Sequence, residues 1–492
     1  MGFLYPEMET LGIQYLSSVL KIRGHETKLF FDPQLFDDTI TRNKLLKLKF
    51  DYKDKLISEI EEFRPDVIVF SVLSTTCEWA FYLSQTIKAK MDIPIVFGGI
   101  HPTLVPEEVM RNSFIDYAIV GEGEYALLEL VESGFDKDKI LEIKNVCYKK
   151  DDALVCNPLR APIADLDTLP FPDKELFYEK MPYLKKSYTI VTGRGCPHGC
   201  TYCCNGYLNK IYNRGYLRRR SAENVIAELD WAVKKYGINH VYFDDSTFTY
   251  DRNWLSNFAV HYKKRIGLPC FCWVYPTDVD DDLIGIFRSL NCRAVEMGVE
   301  SLDERVRKDI FGRVYSNSDV ENALKLFKKN RIFCVVDNIK GFCDDPEKEV
   351  KDLVEFYNEN RPNKIYIFEH RGFPKTEILN LIKNKNSGKQ LLPFTIATEI
   401  TNKKIRQLEL LLVFIYFLPR NVVKYLLRKK IYRIFPPLGS YNILEIFPYF
   451  VNFFKPKKYR FWYPVRGTRH RYVHYFIHNP GYFLKRLLLS WG

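Results

Sequence analysis

Apolar residues along this chain fall into short, regularly spaced runs separated by polar stretches of helical length. Leu16, Val19 and Leu20 follow helical spacing, and Gly24 supplies the stop. Runs at 28–31, 66–72, 93–97 and 116–120 read as buried parallel strands, preceded by a short first strand that ends at Pro6. Segment 137–186 interrupts this rhythm with Pro158, Pro162, Pro170, Pro172 and Pro182, and is predicted as a linker with a small hairpin at 142–151. From 187 the alternation resumes, with strands predicted at 188–192, 240–243, 271–275, 294–297, 333–337 and 364–368. Between two of them, Val320, Ala323, Leu324 and Phe327 mark one face of a helix. The expected fold is α/β. A doubly wound parallel sheet occupies 1–136, a partial (β/α)6 barrel 187–385, and a mainly helical region 386–492.

Composition narrows the class. A chain of 492 residues should form two or three domains, and its 46% apolar content is ample for buried cores. A net charge of +12 favours an anionic partner, whether nucleic acid, membrane surface or acidic substrate. Residues 1–10 carry Glu7 and Glu9 and no basic leader, so no export signal is expected. The longest apolar run, 410–418, lies between Glu409 and Pro419-Arg420 and is too short to span a bilayer. The expected location is the cytoplasm, with peripheral contact at the inner membrane face as an option.

The chemistry concentrates in Cys196-Pro197-His198-Gly199-Cys200-Thr201-Tyr202-Cys203. Three thiolates in one loop can hold three irons of a 4Fe-4S cubane and leave the fourth iron open, where a cosubstrate binds. A zinc site would need His198 or Cys204 as a fourth ligand, and closed zinc sites usually join two separated ligand pairs. Cys204 is expected to point away from a cluster held by Cys203. Twelve cysteines in so long a chain is too low a density for a disulfide framework. The others (Cys77, Cys147, Cys156, Cys270, Cys272, Cys292, Cys334 and Cys343) read as buried small hydrophobes, and none follows Cys343 to hold a second cluster.

The C-x3-C-x2-C spacing after the first barrel strand resembles the radical SAM superfamily. That resemblance implies S-adenosylmethionine on the open iron and its cleavage to a 5'-deoxyadenosyl radical. It also places cosubstrate contacts at Tyr202, at the strand-end acids Asp244 and Asp245, at Glu300 and Ser301, and at Gly341, with Pro374-Lys375-Thr376-Glu377 near substrate. Asp245 and its neighbours equally suit a loop cap, and Tyr202 simple loop packing.

The strand-end turns of the first domain resemble the cobalamin-binding domain that precedes some radical SAM cores. On that resemblance the cobalamin contacts are Ser71, Thr75, Gly98, Gly99, Gly121, Glu122 and Gly123. The D-x-H-x-x-G motif is missing, because Gly99 stands two places before His101, so no protein imidazole is expected on cobalt. The reaction implied is C-methylation of a small-molecule or lipid substrate, supported by an electron donor such as flavodoxin or ferredoxin. The alternatives are a radical rearrangement, cyclisation or oxidation, or a metal-binding or RNA-binding module. At the C-terminal end, 411–418 and Phe461-Trp462-Tyr463 mix with Lys424, Arg428, Lys429, Lys430, Lys455, Lys457, Lys458, Arg460, Arg466, Arg469 and Arg471. That pattern fits a helical cover over the barrel's open side, an interfacial lipid contact or, less well, a nucleic-acid surface.

Overall fold

The computed structural model describes residues 1–6, 8–35, 44–151, 153–370, 372–385, 403–435 and 474–489. They form two compact units.

The first unit holds a seven-stranded sheet in the order β2-β1-β3-β4-β5-β6-β7. Its strands are β1 (Gly2–Pro6), β2 (Lys28–Asp32), β3 (Ile68–Ser71), β4 (Ile95–Gly98), β5 (Tyr117–Ile119), β6 (Val146–Lys150) and β7 (Ala153–Cys156). The first five are parallel, and β1 lies between β2 and β3 and pairs with both. Their apolar side chains are buried on both faces, Phe3, Phe30, Phe70 and Phe97 all at 0% exposure, which is why these strands read as continuous apolar runs. The strand order reverses about β1 and β3, the switch point outside whose carboxyl ends open α/β sheets bind ligands.

Four expectations need correction here. The sheet is mixed, because β6 and β7 add antiparallel to β5. These strands come from the segment predicted as a linker, and the hairpin lies at 146–156 rather than 142–151. A lone hairpin is marginal in water, and the apolar Val146 and Cys147 are buried only by pairing with β5. Cys147 and Cys156 are not independent hydrophobes: they stand opposite one another across the hairpin and form a disulfide. Residues 474–489, predicted with the C-terminal region, belong to this first unit, where Phe476 and Phe483 pack on Phe50, and Tyr475 and Tyr482 on Tyr52.

The second unit is built on six parallel strands in sequential order: β8 (Ser187–Ile190), β9 (His240–Phe243), β10 (Cys270–Val274), β11 (Cys292–Glu300), β12 (Phe333–Lys340) and β13 (Lys364–Glu369). The two end strands do not pair among the described residues, so the barrel is partial. Outward side chains such as Val241, Phe243, Val295 and Val336 join Leu229, Phe258, Phe287 and Phe327 of the surrounding helices in one core. The helix Asn317–Lys329 starts from a capping box formed by Ser316 and Asp319 and buries Val320, Ala323, Leu324 and Phe327, the four residues its periodicity singles out.

Within the run 410–418, residues 410–413 and Ile415 are buried. The helix Lys403–Phe414 packs on the helix Pro346–Asn360, and Leu408, Leu411, Leu412 and Val413 enter the outer core. No helix among the described residues is long and apolar enough to cross a membrane. Phe461, Trp462, Tyr463 and the basic residues at 455, 457, 458, 460, 466, 469 and 471 lie outside the described residues.

Candidate functional site

In the second unit the strand ends converge on the cysteine loop. Beyond β8, the Thr192 amide and hydroxyl donate to Asp245 at 3.0 and 2.8 Å, tying the loop's start to the end of β9. Asp245 is buried, and burial pushes its carboxyl up. This carboxylate braces the loop, as the cap reading expects. Thr201 donates from its amide to the Phe311 carbonyl at 3.2 Å and accepts at its own carbonyl from Ile378 at 3.0 Å. The loop is thereby held by the segments that follow three different strands. Gly312 has positive φ, and a Cβ there would come within 3.2 Å of the Gly199 carbonyl, so a glycine is needed for this close approach.

The three thiols of the loop lie within electrostatic reach of one another. Burial pushes Cys196 up and Cys200 up to about 11, and Cys203 is pushed up by its hydrogen bond to Cys204 and by burial. Cys204 therefore does not point away as expected. A helix begins at Cys204 and folds its thiol back beside Cys203. Arg313 opposes the upward shifts at Cys196 and Cys200, and the Thr247 hydroxyl, 3.5 Å from the Cys196 sulfur, opposes that at Cys196. Buried neutral thiols become ligands when cationic metal draws off their protons. No three His, Cys, Asp or Glu side chains converge on a single-ion site among the described residues. A cubane takes one thiolate on each of three irons, and three thiols on one loop within electrostatic reach of one another are that donor set.

Beside the loop sits a buried polar triad. The Tyr202 hydroxyl donates to Glu300 Oε1 at 2.8 Å, Arg313 Nη1 donates to the Tyr202 oxygen at 2.9 Å, and Arg313 also pairs with Glu300. Glu300, at the end of β11, has φ +62°, a left-handed conformation uncommon outside glycine and of a kind concentrated at functional sites. The Arg313 guanidinium lies 4.4 Å from the Tyr275 ring, whose plane stacks on His198 of the cysteine loop at 3.8 Å. Sequence reasoning found Tyr202 and Glu300 but missed Arg313, which lies in a loop with no periodic or strand-end signal. It also missed His370 beyond β13, a buried imidazole whose ring packs edge-on against Tyr202, Phe342 and Phe373 and whose nitrogens lack a well-formed hydrogen bond.

The other residues expected here divide. Asp244 is half-buried at the end of β9. Ser301 serves its own turn, its hydroxyl accepting from the Asp303 amide at 3.2 Å and its carbonyl from Arg307 at 2.6 Å. Gly341 follows β12 with φ +97° and donates its amide to Glu349 at 3.0 Å.

In the first unit, Ser71 and Gly98 are register partners at the ends of β3 and β4. Gly99 has φ +97°, and a Cβ there would sit 2.9 Å from the Val72 nitrogen and 3.0 Å from its carbonyl oxygen. Gly121 donates to the Thr103 hydroxyl at 2.9 Å, Gly123 precedes the helix Glu124–Glu132, and Thr75 is exposed. Gly98 and Gly99 thus leave bare backbone at the end of β4, a surface suited to a large ligand's tail, whereas Gly121 faces the Tyr212 hydroxyl and Leu159. Glu122 does not belong with them. Its carboxylate accepts from both terminal nitrogens of Arg218 at 2.7 and 3.1 Å and from the Ile163 amide at 2.7 Å, a buried clamp with its oxygens engaged. His101 is fully buried, bonded to Ser74 at 3.0 Å and pushed down to about 4 by burial.

Comparison with known proteins agrees with this geometry. A model of the B12 binding domain matches residues 3–131, and a model of the radical SAM superfamily matches 190–357. A methyltransferase of Pyrococcus horikoshii is 26% identical over 357 residues, covering 70% of this chain and 72% of its own. The cytidylyl-2-hydroxyethylphosphonate methyltransferase of Streptomyces wedmorensis is 23% identical, over 61% of this chain and 62% of its own. Among solved structures, the radical S-adenosylmethionine methyltransferase TsrM of Kitasatospora setae, with cobalamin and a 4Fe-4S cluster bound, matches with a TM-score of 0.62 at 16% identity, covering 80% of this chain and 76% of its own. Strand-end glycines on a sheet of order 2-1-3-4-5, followed by a three-cysteine loop at the mouth of a six-stranded partial barrel, thus coincide with the two matched domains, and the chain belongs to the radical SAM enzymes that carry a B12 binding domain.

Proposed function

We propose that this chain is a cobalamin-dependent radical SAM methyltransferase acting on carbon of a small-molecule substrate. The observation that carries it is the buried Tyr202–Glu300–Arg313 triad set directly against the three-cysteine loop, in a chain whose other unit is a B12 binding domain. When bound, the cluster with S-adenosylmethionine supplies a 5'-deoxyadenosyl radical, and cobalamin supplies the methyl group.

The chain's own residues select and hold these groups. Cys196, Cys200 and Cys203 are the thiolates for three irons, and the nearby Arg313 cation favours the ionised form of Cys196 and Cys200. Glu300 is the acceptor for the cosubstrate ribose hydroxyls. Its carboxylate is aimed by Tyr202 and Arg313, so binding need not freeze it into place. Asp244 offers a half-buried negative charge suited to the cosubstrate's amino group or sulfonium. In the first unit, Ser71, Thr75, Gly98, Gly99 and Gly123 receive the cobalamin tail, Gly98 and Gly99 by leaving backbone open to the ligand and Ser71 and Thr75 through their hydroxyls. An external one-electron donor of the flavodoxin or ferredoxin kind completes the system. The burial of 408–413 removes one apolar surface from any lipid contact.

The test is anaerobic reconstitution. The expected result is a 4Fe-4S EPR signal that shifts on adding S-adenosylmethionine, deoxyadenosine release, and cobalamin that co-purifies. A Cys200→Ala protein that kept full deoxyadenosine release would overturn the radical reading. Normal cluster chemistry without any cobalamin affinity would favour a radical reaction lacking methyl transfer.

A further inference from the structure

At the amino ends of β12 and β13, on the face of the barrel opposite the cysteine loop, a cavity of about 440 Å³ opens between the turns that lead into the two strands. Small-molecule sites span about 300–1,000 Å³, so this one is large enough to hold a ligand. Its walls are apolar where they are deep: Leu324, Phe327, Ile332 and Pro362 line it and are buried. Its mouth is cationic. Lys328 and Arg331 are exposed there and Arg361 is half-buried, and no Asp or Glu lines the cavity among the described residues.

The walls are held in place by the fold. Asn363 joins the two turns, its amide donating to the Cys334 carbonyl and its side-chain oxygen accepting from the Cys334 amide, both at 2.9 Å. The Ile332 amide donates back to the Phe327 carbonyl at 2.9 Å. Each turn also puts an arginine where the chain takes a left-handed conformation, with φ +57° at Arg331 and +40° at Arg361, positions that glycine fills more easily. Arg361 has a local role, since it donates to the Asn358 and Leu418 carbonyls at 3.1 and 2.9 Å. Arg331 and Lys328 have none: neither side chain makes a hydrogen bond or ion pair among the described residues. Glu359, the acid whose charge reaches Arg361, is paired with Lys424 at 2.7 Å and with Arg420. Three cations therefore surround an apolar cavity without a matching negative charge, and they repel one another until an anion joins them.

We infer that this cavity binds a small amphipathic anion, a carboxylate or phosphate carried on an apolar body. The body displaces water from Leu324, Phe327, Ile332 and Pro362, and the anionic group takes charge-assisted hydrogen bonds from Lys328 and Arg331, with the Arg361 charge in support. An amine on the same body would meet three like charges. A bare anion would leave the apolar walls wet. The site lies at the opposite strand ends from the cysteine loop, so its occupancy does not depend on the radical SAM reading.

Ligand-observed NMR on the full-length protein tests it with five probes: 4-phenylbutyrate, 4-phenylbutyl phosphate, 4-phenylbutan-1-ol, 4-phenylbutylamine and butyrate. At least one of the two phenyl-bearing anions should bind tenfold or more tighter than the alcohol, the amine and butyrate, and the tighter of the two identifies the anionic group. Replacing both Lys328→Gln and Arg331→Gln should abolish that preference while deoxyadenosine release, measured separately, stays at the wild-type level. Hydrogen exchange of the wild-type protein locates the site, because the bound anion should slow the amides of 328–334 and 361–364. Equal binding of the anions and the alcohol, no binding of either anion, or an unchanged preference in the folded double variant would overturn the inference. Should the double variant not fold, exchange decides alone, and unchanged protection at both turns would equally overturn it.

Discussion

Gly298 stands where any side chain would collide with the Glu300 carboxylate and the Arg313 guanidinium. Gly298→Ala should therefore lower deoxyadenosine release at least tenfold while leaving iron content unchanged, because the Cβ displaces Glu300 and Arg313, which lie outside the cysteine loop. Equal loss of iron would show the triad and the loop to be one inseparable unit. Arg313→Ala strands a buried carboxylate, a change that typically costs about 3–5 kcal/mol, and should appear as a lowered denaturation midpoint even in cluster-free protein. Asp337 makes a pH-dependent contribution of the opposite kind. Its folded carboxyl binds a proton more tightly than the unfolded one, so stability is lost as pH climbs from the ordinary Asp range toward the raised folded value. Asp337→Asn should flatten that decline in the pH profile of unfolding, and an unchanged slope would mean the proton sits elsewhere. At this scale the sequence revealed residues whose chemistry is local. The cysteines announce themselves by spacing, and Glu300 by its place at a strand end. Arg313 stayed hidden because its partners Tyr202 and Glu300 meet it only in the fold. Glu122 was misread because its partner Arg218 lies 96 residues away and nothing in a glycine-rich turn shows it.

Parallel strands were the most legible elements, since burial on both faces leaves an uninterrupted apolar run that few other structures produce. All six barrel strands overlap their predicted positions, and so do the five parallel strands of the first sheet. The β6–β7 hairpin was harder. Its strands are short, Val-Cys-Tyr-Lys-Lys and Ala-Leu-Val-Cys, and show neither a long apolar run nor a clean alternation, so the prolines that follow dominated the pattern and made a sheet extension look like a linker. Its disulfide was hidden for the same reason, because two cysteines nine residues apart become neighbours only when the turn's register is known. Alkylation of denatured, unreduced, cluster-free protein should modify ten of the twelve cysteines and leave Cys147 and Cys156 joined in one peptide pair. Closing so short a loop is worth about 2–3 kcal/mol on chain-entropy grounds, and mild reduction should lower the first unit's unfolding midpoint accordingly. Modification of all twelve would remove the bridge from the account.

For the whole molecule, the two proposed cofactor sites draw on different units with separate cores: strand-end glycines on the first sheet, a cysteine loop and triad on the barrel. Loss of one site should therefore leave the other intact. Simultaneous replacement of Cys196, Cys200 and Cys203 by alanine removes three interior thiols from a loop that Asp245, Phe311 and Ile378 still hold by backbone and side-chain hydrogen bonds. Such a protein should contain no iron or sulfide and yet bind cobalamin with the wild-type stoichiometry. The converse substitution is Gly99→Val, which places a branched side chain against the Val72 backbone and forces a strained φ, so the β3 and β4 ends must separate. Cobalamin affinity should fall at least tenfold there, while the cluster's EPR signal and the release of deoxyadenosine from S-adenosylmethionine persist. Methyl transfer should vanish in both variants, for opposite reasons that the two spectroscopic signatures distinguish. If the triple cysteine variant lost cobalamin together with iron, the two sites would be coupled through the fold, and binding could not be assigned to each unit from its own residues.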